Sequence, residues 1–423
     1  MKRILPLVLV ILLVFYSSFS NAQQCSNGRY YNKIFSPKTH SGIQFGHAVK
    51  FDSTEQDLLM DIYEPDGDNF AHRPLIVLAF GGSFTAGLRQ SPDILKLCDD
   101  FTRRGYVTAT IDYRLGFEDG NDSDTNQFKA VIRGVQDMRA AVRFFYKDAL
   151  TANTYRIDTN QIFIGGVSAG AFIALNYGYG KLDTFSRTVP PFVLPSLIEL
   201  GGPIGNSGNP GYNDKVKGVI SLCGAIGDTV WLMPNDPILV AVHGTADDLV
   251  ACYYDSVYAI DHTESMFYGG GDINNRVNSV GLNHSIYLFT GAGHVPFVLP
   301  SSPFLSPSKE YMDTTIWVIR DFLYQNVECD SALVSGIKDV PEDVVVSLFP
   351  NPSSGDINLS SGHSKNLTLD VYSTDGKWIE QKTLYATSML TIPKQELGTG
   401  MFFIRLSDQA THKYIKTLKA TVY

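Results

Sequence analysis

The pentapeptide Gly166-Val167-Ser168-Ala169-Gly170 constrains this chain more than any other stretch. It follows Gln161-Ile162-Phe163-Ile164-Gly165, an apolar run that reads as a buried strand. It opens Ala169-Gly170-Ala171-Phe172-Ile173-Ala174-Leu175, a small-residue run that reads as a helix. The pattern G-x-S-x-G between strand and helix requires a sharp turn with the serine at its tip. Two glycines permit that turn where larger residues would clash. A helix beginning just after Ser168 aims free N–H groups at any negative charge that develops beside the hydroxyl.

Three further segments share this layout. The run 74–80 reads as a buried strand and ends in Gly81-Gly82-Ser83-Phe84. The run 237–242 leads into His243-Gly244-Thr245-Ala246-Asp247-Asp248. The run 285–289 leads into Gly291-Ala292-Gly293-His294. Each polar candidate lies just past the carboxyl end of an expected strand, where open α/β sheets place their sites. The chain order is Ser, Asp, His.

On these residues the stretch 45–325 resembles the α/β-hydrolases of the esterase/lipase type. Asp61-Ile62-Tyr63-Glu64-Pro65, Thr110-Ile111-Asp112-Tyr113-Arg114-Leu115 and Asp137-Met138-Arg139-Ala140-Ala141-Val142-Arg143-Phe144 add to the likeness. The resemblance implies an α/β fold, a mostly parallel sheet flanked by helices. It implies a serine triad: Ser168 as nucleophile, His294 as general base, and Asp247 rather than its neighbour Asp248 as the orienting acid. His243 then braces the strand end. Backbone N–H groups of Gly82, Ser83 and Ala169 form the oxyanion hole. Phe80-Gly81-Gly82-Ser83 stands where family members often carry His-Gly-Gly-Gly, which leaves the subfamily and substrate open. The implied reaction is ester hydrolysis through an acyl-enzyme, with no metal or cofactor. Two other function classes compete. A serine peptidase of the prolyl-oligopeptidase type uses the same residue order, but such enzymes usually carry a propeller for which there is no room before Gly46. A non-catalytic surface-binding protein would commonly have lost one of the three residues.

Charge and compartment narrow the substrate. The 423-residue chain has a formal net charge of −9, which counts against nucleic acid and anionic membrane as partners. Residues 1–22 have the basic start, apolar core and small residues of a signal peptide, with cleavage expected near Ala22 and Gln23. No other stretch is apolar and long enough for a transmembrane segment. Five cysteines, Cys25, Cys98, Cys223, Cys252 and Cys329, leave at least one thiol unpaired, and their spacing does not give the pairing. Export points to esters of plant polysaccharides, such as acetyl or feruloyl groups, with lipid esters and polyesters as alternatives. The acidic stretch with Glu118, Asp119, Asp122 and Asp124 fits no EF-hand spacing and reads as a solvated loop rather than a calcium site.

The organisation along the chain follows. Residues 23–328 form the hydrolase, beginning with a lead-in to about residue 44 and strands near 48–51 and 58–63. Helices are expected over 91–104 and 127–147; in the second, Val131, Val135, Met138, Ala141, Val142 and Phe145 recur at helical spacing. Insertions at 181–215 and 262–283 are long enough to reach the site, and the first reads as a substrate-binding cap. A helix over 303–324 closes the domain, and 329–343 is a linker. Residues 344–423 show short alternating runs separated by turns, the pattern of a small all-β sandwich. That segment resembles the C-terminal sorting domain of type IX secretion, through Phe349-Pro350-Asn351-Pro352 with Gly355, Val371-Tyr372 with Gly376-Lys377, Leu397-Gly398-Thr399-Gly400-Met401-Phe402-Phe403, and Lys413, Lys416 and Lys419. The resemblance implies the type IX secretion machinery as a partner and a secreted or cell-surface location. A carbohydrate-binding or adhesion module is the competing reading, although aromatic clusters suited to sugar stacking are not evident.

Overall fold

The computed structural model describes residues 25, 28–116, 124–180, 193–257, 266–297, 309–329, 346–361, 366–373, 378–386, 388–410 and 414–423. The expected signal peptide, the acidic residues Glu118, Asp119 and Asp122, the turn residues Gly376 and Lys377, and nearly all of the expected linker lie outside them. The chain divides into two compact units, Met1–Cys329 and Asp330–Tyr423.

The first unit is built on an eight-stranded sheet. Its strands are β1 (Pro37–Val49), β2 (Glu55–Pro65), β3 (Arg73–Ala79), β4 (Val107–Ile111), β5 (Ile157–Val167), β6 (Gly218–Leu222), β7 (Ile238–Gly244) and β10 (His284–Phe289). Two short strands, β8 (Asp255–Ser256) and β9 (Met266–Phe267), pair outside it. The order in the large sheet is β1-β2-β4-β3-β5-β6-β7-β10. Only β1–β2 and β2–β4 are antiparallel; every other pairing is parallel. Every residue of β3, β4 and β6 is buried; β3 reads as a near-continuous apolar run, whereas β4 alternates apolar residues with Thr108 and Thr110.

The helices are α1 (Pro92–Arg103), α2 (Asp124–Leu150), α3 (Ala169–Tyr179), α4 (Val193–Glu199), α5 (Gly270–Val280) and α6 (Lys309–Asn326). α2 and α3 pack on each other and on β3 and β5. α1 and α6 pack on each other, with α1 against β2 and β4 and α6 against β7 and β10. The sheet is therefore a mostly parallel α/β sheet flanked by helices, as its sequence implied.

Two expectations need correction. The lead-in is shorter than read, because β1 already begins at Pro37; its polar, half-exposed residues on a sheet edge hid it from an apolar-run search. The region 262–283 is not a loop throughout, since α5 fills half of it, while Phe267 ahead of the helix does reach the cleft beside Ser168. Tyr113 and Arg114 follow the end of β4. Both are buried, and Arg114 pairs with Asp137 at 2.8 Å, tying the end of β4 to α2.

A disulfide joins Cys25 to Cys329 across 304 residues and closes the two ends of this unit on each other. Cys98, Cys223 and Cys252 are free and buried.

The second unit is all-β. It consists of β11 (Val346–Phe349), β12 (Ile357–Ser361), β13 (Leu367–Ser373), β14 (Trp378–Leu384), β15 (Met389–Ile392), β16 (Gly400–Asp408), β17 (Tyr414–Val422) and a single-turn helix, α7 (Lys394–Leu397). The strands form two antiparallel sheets, β11-β12-β15 and β14-β13-β16-β17. Ile357, Leu359, Leu367, Leu369, Val371, Ile404 and Leu406 alternate inward to make its core. β12 and β14 escaped the sequence reading because polar residues dominate them.

Candidate active site

Parallel register brings the chemistry to one edge of the sheet. Ala79 of β3 lies beside Gly166, Val167 beside Leu222, Leu222 beside Val242, and Gly244 beside Phe289. The segments after β3, β5, β7 and β10 therefore leave the sheet on the same side.

Ser168 sits between β5 and α3 with φ +51° and ψ −115°, a conformation costly for a residue bearing a Cβ. Its backbone N–H donates to the Leu222 carbonyl at 2.8 Å, which anchors the turn on β6. Gly170 is required by close approach: a Cβ there would lie 2.1 Å from the Ala79 carbonyl oxygen. The hydrogen bonds of α3 begin with Ala171 donating to the Ser168 carbonyl at 2.9 Å, so the N–H of Ala169 precedes them.

The loops after β7 and β10 are stitched together. Thr245 N–H donates to the Phe289 carbonyl, Ala246 N–H to the Ala292 carbonyl, and Gly291 N–H to Thr245 Oγ1. This brings Asp247 and His294 into contact 47 residues apart in the chain. Asp247 Oδ2 lies 2.7 Å from His294 Nδ1, and His294 Nε2 lies 2.9 Å from Ser168 Oγ. An ionised carboxylate only accepts, so His294 carries its proton on Nδ1. Nε2 is then the lone-pair nitrogen facing the serine hydroxyl. Asp248 is exposed, whereas Asp247 is buried.

Asp247 is saturated with donors. Oδ1 accepts from the N–H groups of Leu249 and Val250 at 3.0 and 2.9 Å, and Oδ2 also lies 3.2 Å from His243 Nε2. Burial opposes ionisation, but the hydrogen bonds from His243 and His294 outweigh it and hold the carboxyl well below the usual carboxylate range. Gly270 N–H donates to His243 Nδ1, so His243 is neutral with its proton on Nε2. From there it donates to the Val250 carbonyl and toward Asp247. The expected brace at the end of β7 is thus a brace on Asp247 as well.

The Gly81-Gly82-Ser83 turn lies across from Ser168. Gly82 has φ +125°, and a Cβ there would overlap the Ala86 carbonyl, so the turn demands glycine. Ser83 and Phe84 also have positive φ. Tyr113 donates from its hydroxyl to the Phe80 carbonyl at 3.0 Å and steadies the strand end that feeds the turn.

A narrow cleft opens beside Ser168. Ser83 and Ala169 line it and Gly82 does not; the rest of the wall is Phe84, Gln127, Phe128, Val131, Phe172, Val250, Val257 and Phe267. Phe267 stacks on Phe128 and meets Phe172 edge-on, with centroids 5.8 and 5.6 Å apart. The sequence reading missed most of this wall. A signal existed in α2: Gln127 and Phe128 precede Val131 by about one turn and continue the stripe that includes Val131 and Val135. Val257 and Phe267 reach the cleft from the segment between β7 and α5; no local signal marks Val257, and Phe267 lies in the 262–283 region expected to reach the site. Residues 193–215 of the expected cap contribute nothing to the wall. They run along α2 instead, where Gln136 donates to the Leu200 and Gly202 carbonyls and Lys129 pairs with Glu199. The rest of that insertion lies outside the described residues.

Among the described residues one group has the makings of a metal site: Cys223, Asp247 and His294. Burial pushes the Cys223 thiol up, and Asp247 and His294 are already hydrogen-bonded to each other. The arrangement favours a neutral thiol packed behind a hydrogen-bonded pair.

Two segments of the chain match known families. Residues 60–199 match the BD-FAE family, and residues 347–419 match the Secretion system C-terminal sorting domain. The chain is an esterase-type α/β-hydrolase with a secretion sorting domain. No curated protein sequence matches it. Solved structures similar to it include esterase 2 of the planctomycete Thermogutta terrifontis with propionate bound, at 18% identity and a TM-score of 0.46, covering 69% of this chain and 94% of that one. The same esterase phosphorylated by paraoxon is 19% identical with a TM-score of 0.44, covering 69% and 94%. A truncated carbohydrate esterase from gut microbiota is 16% identical with a TM-score of 0.47, covering 71% and 100%. The sorting domain marks the esterase for secretion or the cell surface through type IX machinery.

Proposed function

We propose that this esterase is a serine carboxylesterase working through Ser168, His294 and Asp247, with acylated polysaccharides as its substrate class. The observation that carries the reading is the unbroken hydrogen-bond chain from Ser168 Oγ through His294 to Asp247 at the mouth of an apolar cleft.

Ser168 Oγ attacks the ester carbonyl while His294 Nε2 takes its proton. Asp247 stabilises the imidazolium and fixes its tautomer. The tetrahedral oxyanion is held by the N–H groups of Ala169, Gly82 and Ser83. Collapse expels the alcohol, which receives the proton from His294. Water then attacks the acyl-enzyme by the same route and frees the acid. The acyl group occupies the apolar cleft, and the alcohol stays outside, where a polymer has room. A signal peptide over residues 1–22 starts the export that the sorting domain completes.

The purified mature protein should cleave p-nitrophenyl acetate and leave an aminoacyl-p-nitroanilide intact. Cleavage of the anilide at comparable kcat/KM would favour a peptidase. Release of acid from acylated polysaccharide tests the substrate class, and its absence alongside good activity on small esters would remove that part of the reading.

A further inference from the structure

Asp61 and Asp112 take no part in the reaction at Ser168, yet both close on one segment of the chain. Arg89 Nη1 donates to Asp112 Oδ2 at 2.6 Å, and Arg89 Nε lies 3.2 Å from Asp61 Oδ1. Gln90 donates from Nε2 to Asp61 Oδ2. The carboxylates are themselves tied down. Gly42 N–H donates to Asp61 Oδ1 at 2.8 Å, and Asp112 N–H donates to the Leu59 carbonyl at 2.8 Å. One guanidinium, only 17% exposed, is thus gripped between β2 and the end of β4.

Arg89 and Gln90 form the exit of the turn that begins beside Ser168. A Cβ on Gly81 would lie 3.3 Å from Ser168 Cβ. One on Gly87 would lie 2.4 Å from the Gly81 carbonyl oxygen, so the turn closes on itself two residues before Arg89. Within it Gly82, Ser83 and Phe84 all have positive φ, which is costly for the two that bear a Cβ. Such a run persists only where its surroundings hold it. Among the described residues, a single backbone hydrogen bond ties residues 82–87 to another part of the chain, from Gly116 N–H to the Phe84 carbonyl. At the entry, the Tyr113 hydroxyl holds the Phe80 carbonyl. At the exit, the hold falls to the side chains of Arg89 and Gln90.

We propose that Arg89 is a positioning residue: gripped by Asp61 and Asp112, it fixes the exit of the 81–87 turn and so aims the N–H groups of Gly82 and Ser83 at the oxyanion. The inference rests on the reading above, in which those groups serve the reaction at Ser168. Arg89 touches no reacting atom. Its planar fork reaches two carboxylates on separate segments, which a single ammonium does not reproduce.

The test compares wild type, Arg89→Gln and Arg89→Lys for kcat and KM on p-nitrophenyl acetate and for the Ki of a trifluoromethyl ketone. Ser168 Oγ adds to the ketone carbon, its proton passes to His294, and the carbonyl oxygen becomes an anion in the hole. Affinity for the ketone therefore reads the hole without turnover. Acylation and deacylation both pass through an oxyanion, so in Arg89→Gln kcat and kcat/KM should fall together by about tenfold to a hundredfold. Ki should rise by the factor that kcat/KM loses, to within about threefold. Arg89→Lys should lie between wild type and Arg89→Gln. Removing the cation from between two carboxylates can prevent folding. Arg89→Lys then carries the test alone, with a fall in kcat of about threefold or more matched in Ki. A merely structural arginine would lower the melting temperature and leave the folded enzyme's kcat and Ki alone. Values of both within about twofold of wild type in the folded variant, or a fall in kcat with Ki unchanged, would overturn the role of Arg89. Hydrolysis that survives Ser168→Ala, or a wild type that the ketone does not inhibit, would instead overturn the underlying reading.

Discussion

At the residue scale, the three polar groups of the site differ in what removing each should do. Ser168→Ala should lower kcat by several orders of magnitude with an unchanged melting temperature, since the hydroxyl acts only in the chemical step; steady-state kinetics and a melting curve on one preparation check both. Asp247→Asn should cost on the order of 10⁴ in kcat, by analogy with other triads, while Asp248→Asn at an exposed position should cost almost nothing. The reverse ranking would move the acid by one residue. Asp247 also links stability to pH. Its carboxyl titrates below the ordinary range in the folded protein. Its ionised form therefore stabilises the fold above the unfolded carboxyl value, about 4, and that contribution is lost as pH falls through the folded value. The gap in melting temperature between wild type and Asp247→Asn should be widest above about pH 4 and narrow toward pH 2. A gap that widens with acid would contradict the hydrogen-bond arrangement around Asp247.

At the element scale, the legible parts of the sequence were those with strong local punctuation. β3, β5 and β7 are apolar runs ending in glycine-rich turns, and those turns carry Ser83, Ser168 and Asp247. The cleft was less legible because its wall comes from separate segments that meet only in three dimensions: the start of α2, the start of α3 and the stretch between β7 and α5. Val257 and Phe267 look like ordinary apolar residues until register and crossover place them beside Ser168. The pairing of Cys25 with Cys329 was hidden for the same reason, since spacing of 304 residues says nothing about proximity. That link closes the first unit by joining its start to the end of α6. Cys25→Ser with Cys329→Ser should lower unfolding free energy by about 2–4 kcal/mol, measured by denaturant titration, with little change in kcat because both sulfurs lie on the segments before β1 and after α6. The three free thiols should resist modification in the folded state: burial raises all of them, Cys98 to about 12 and Cys252 to about 11.

At the scale of the whole molecule, two compact units carry two tasks. The residues proposed for catalysis all precede Cys329, and the second unit has its own core. In that unit the Asn351 of the Phe-Pro-Asn-Pro stretch ties itself to β17, donating to the Lys419 carbonyl and accepting from Thr421 N–H, so the motif has a structural reason within the sandwich. A protein spanning residues 23–329, which keeps the disulfide, should be soluble and active when made in a heterologous host. In the native host the same truncation with its signal peptide should remain in the periplasm; its appearance outside the cell at full-length levels would revive the binding-module reading. The central claim, that Ser168 is the nucleophile of an exported esterase, is tested most directly by treating the mature protein with a fluorophosphonate and mapping the adduct by mass spectrometry. One equivalent on the peptide containing Ser168, appearing in step with loss of esterase activity, is the predicted result. Loss of activity with Ser168 unmodified, or full modification of Ser168 with activity intact, would contradict it.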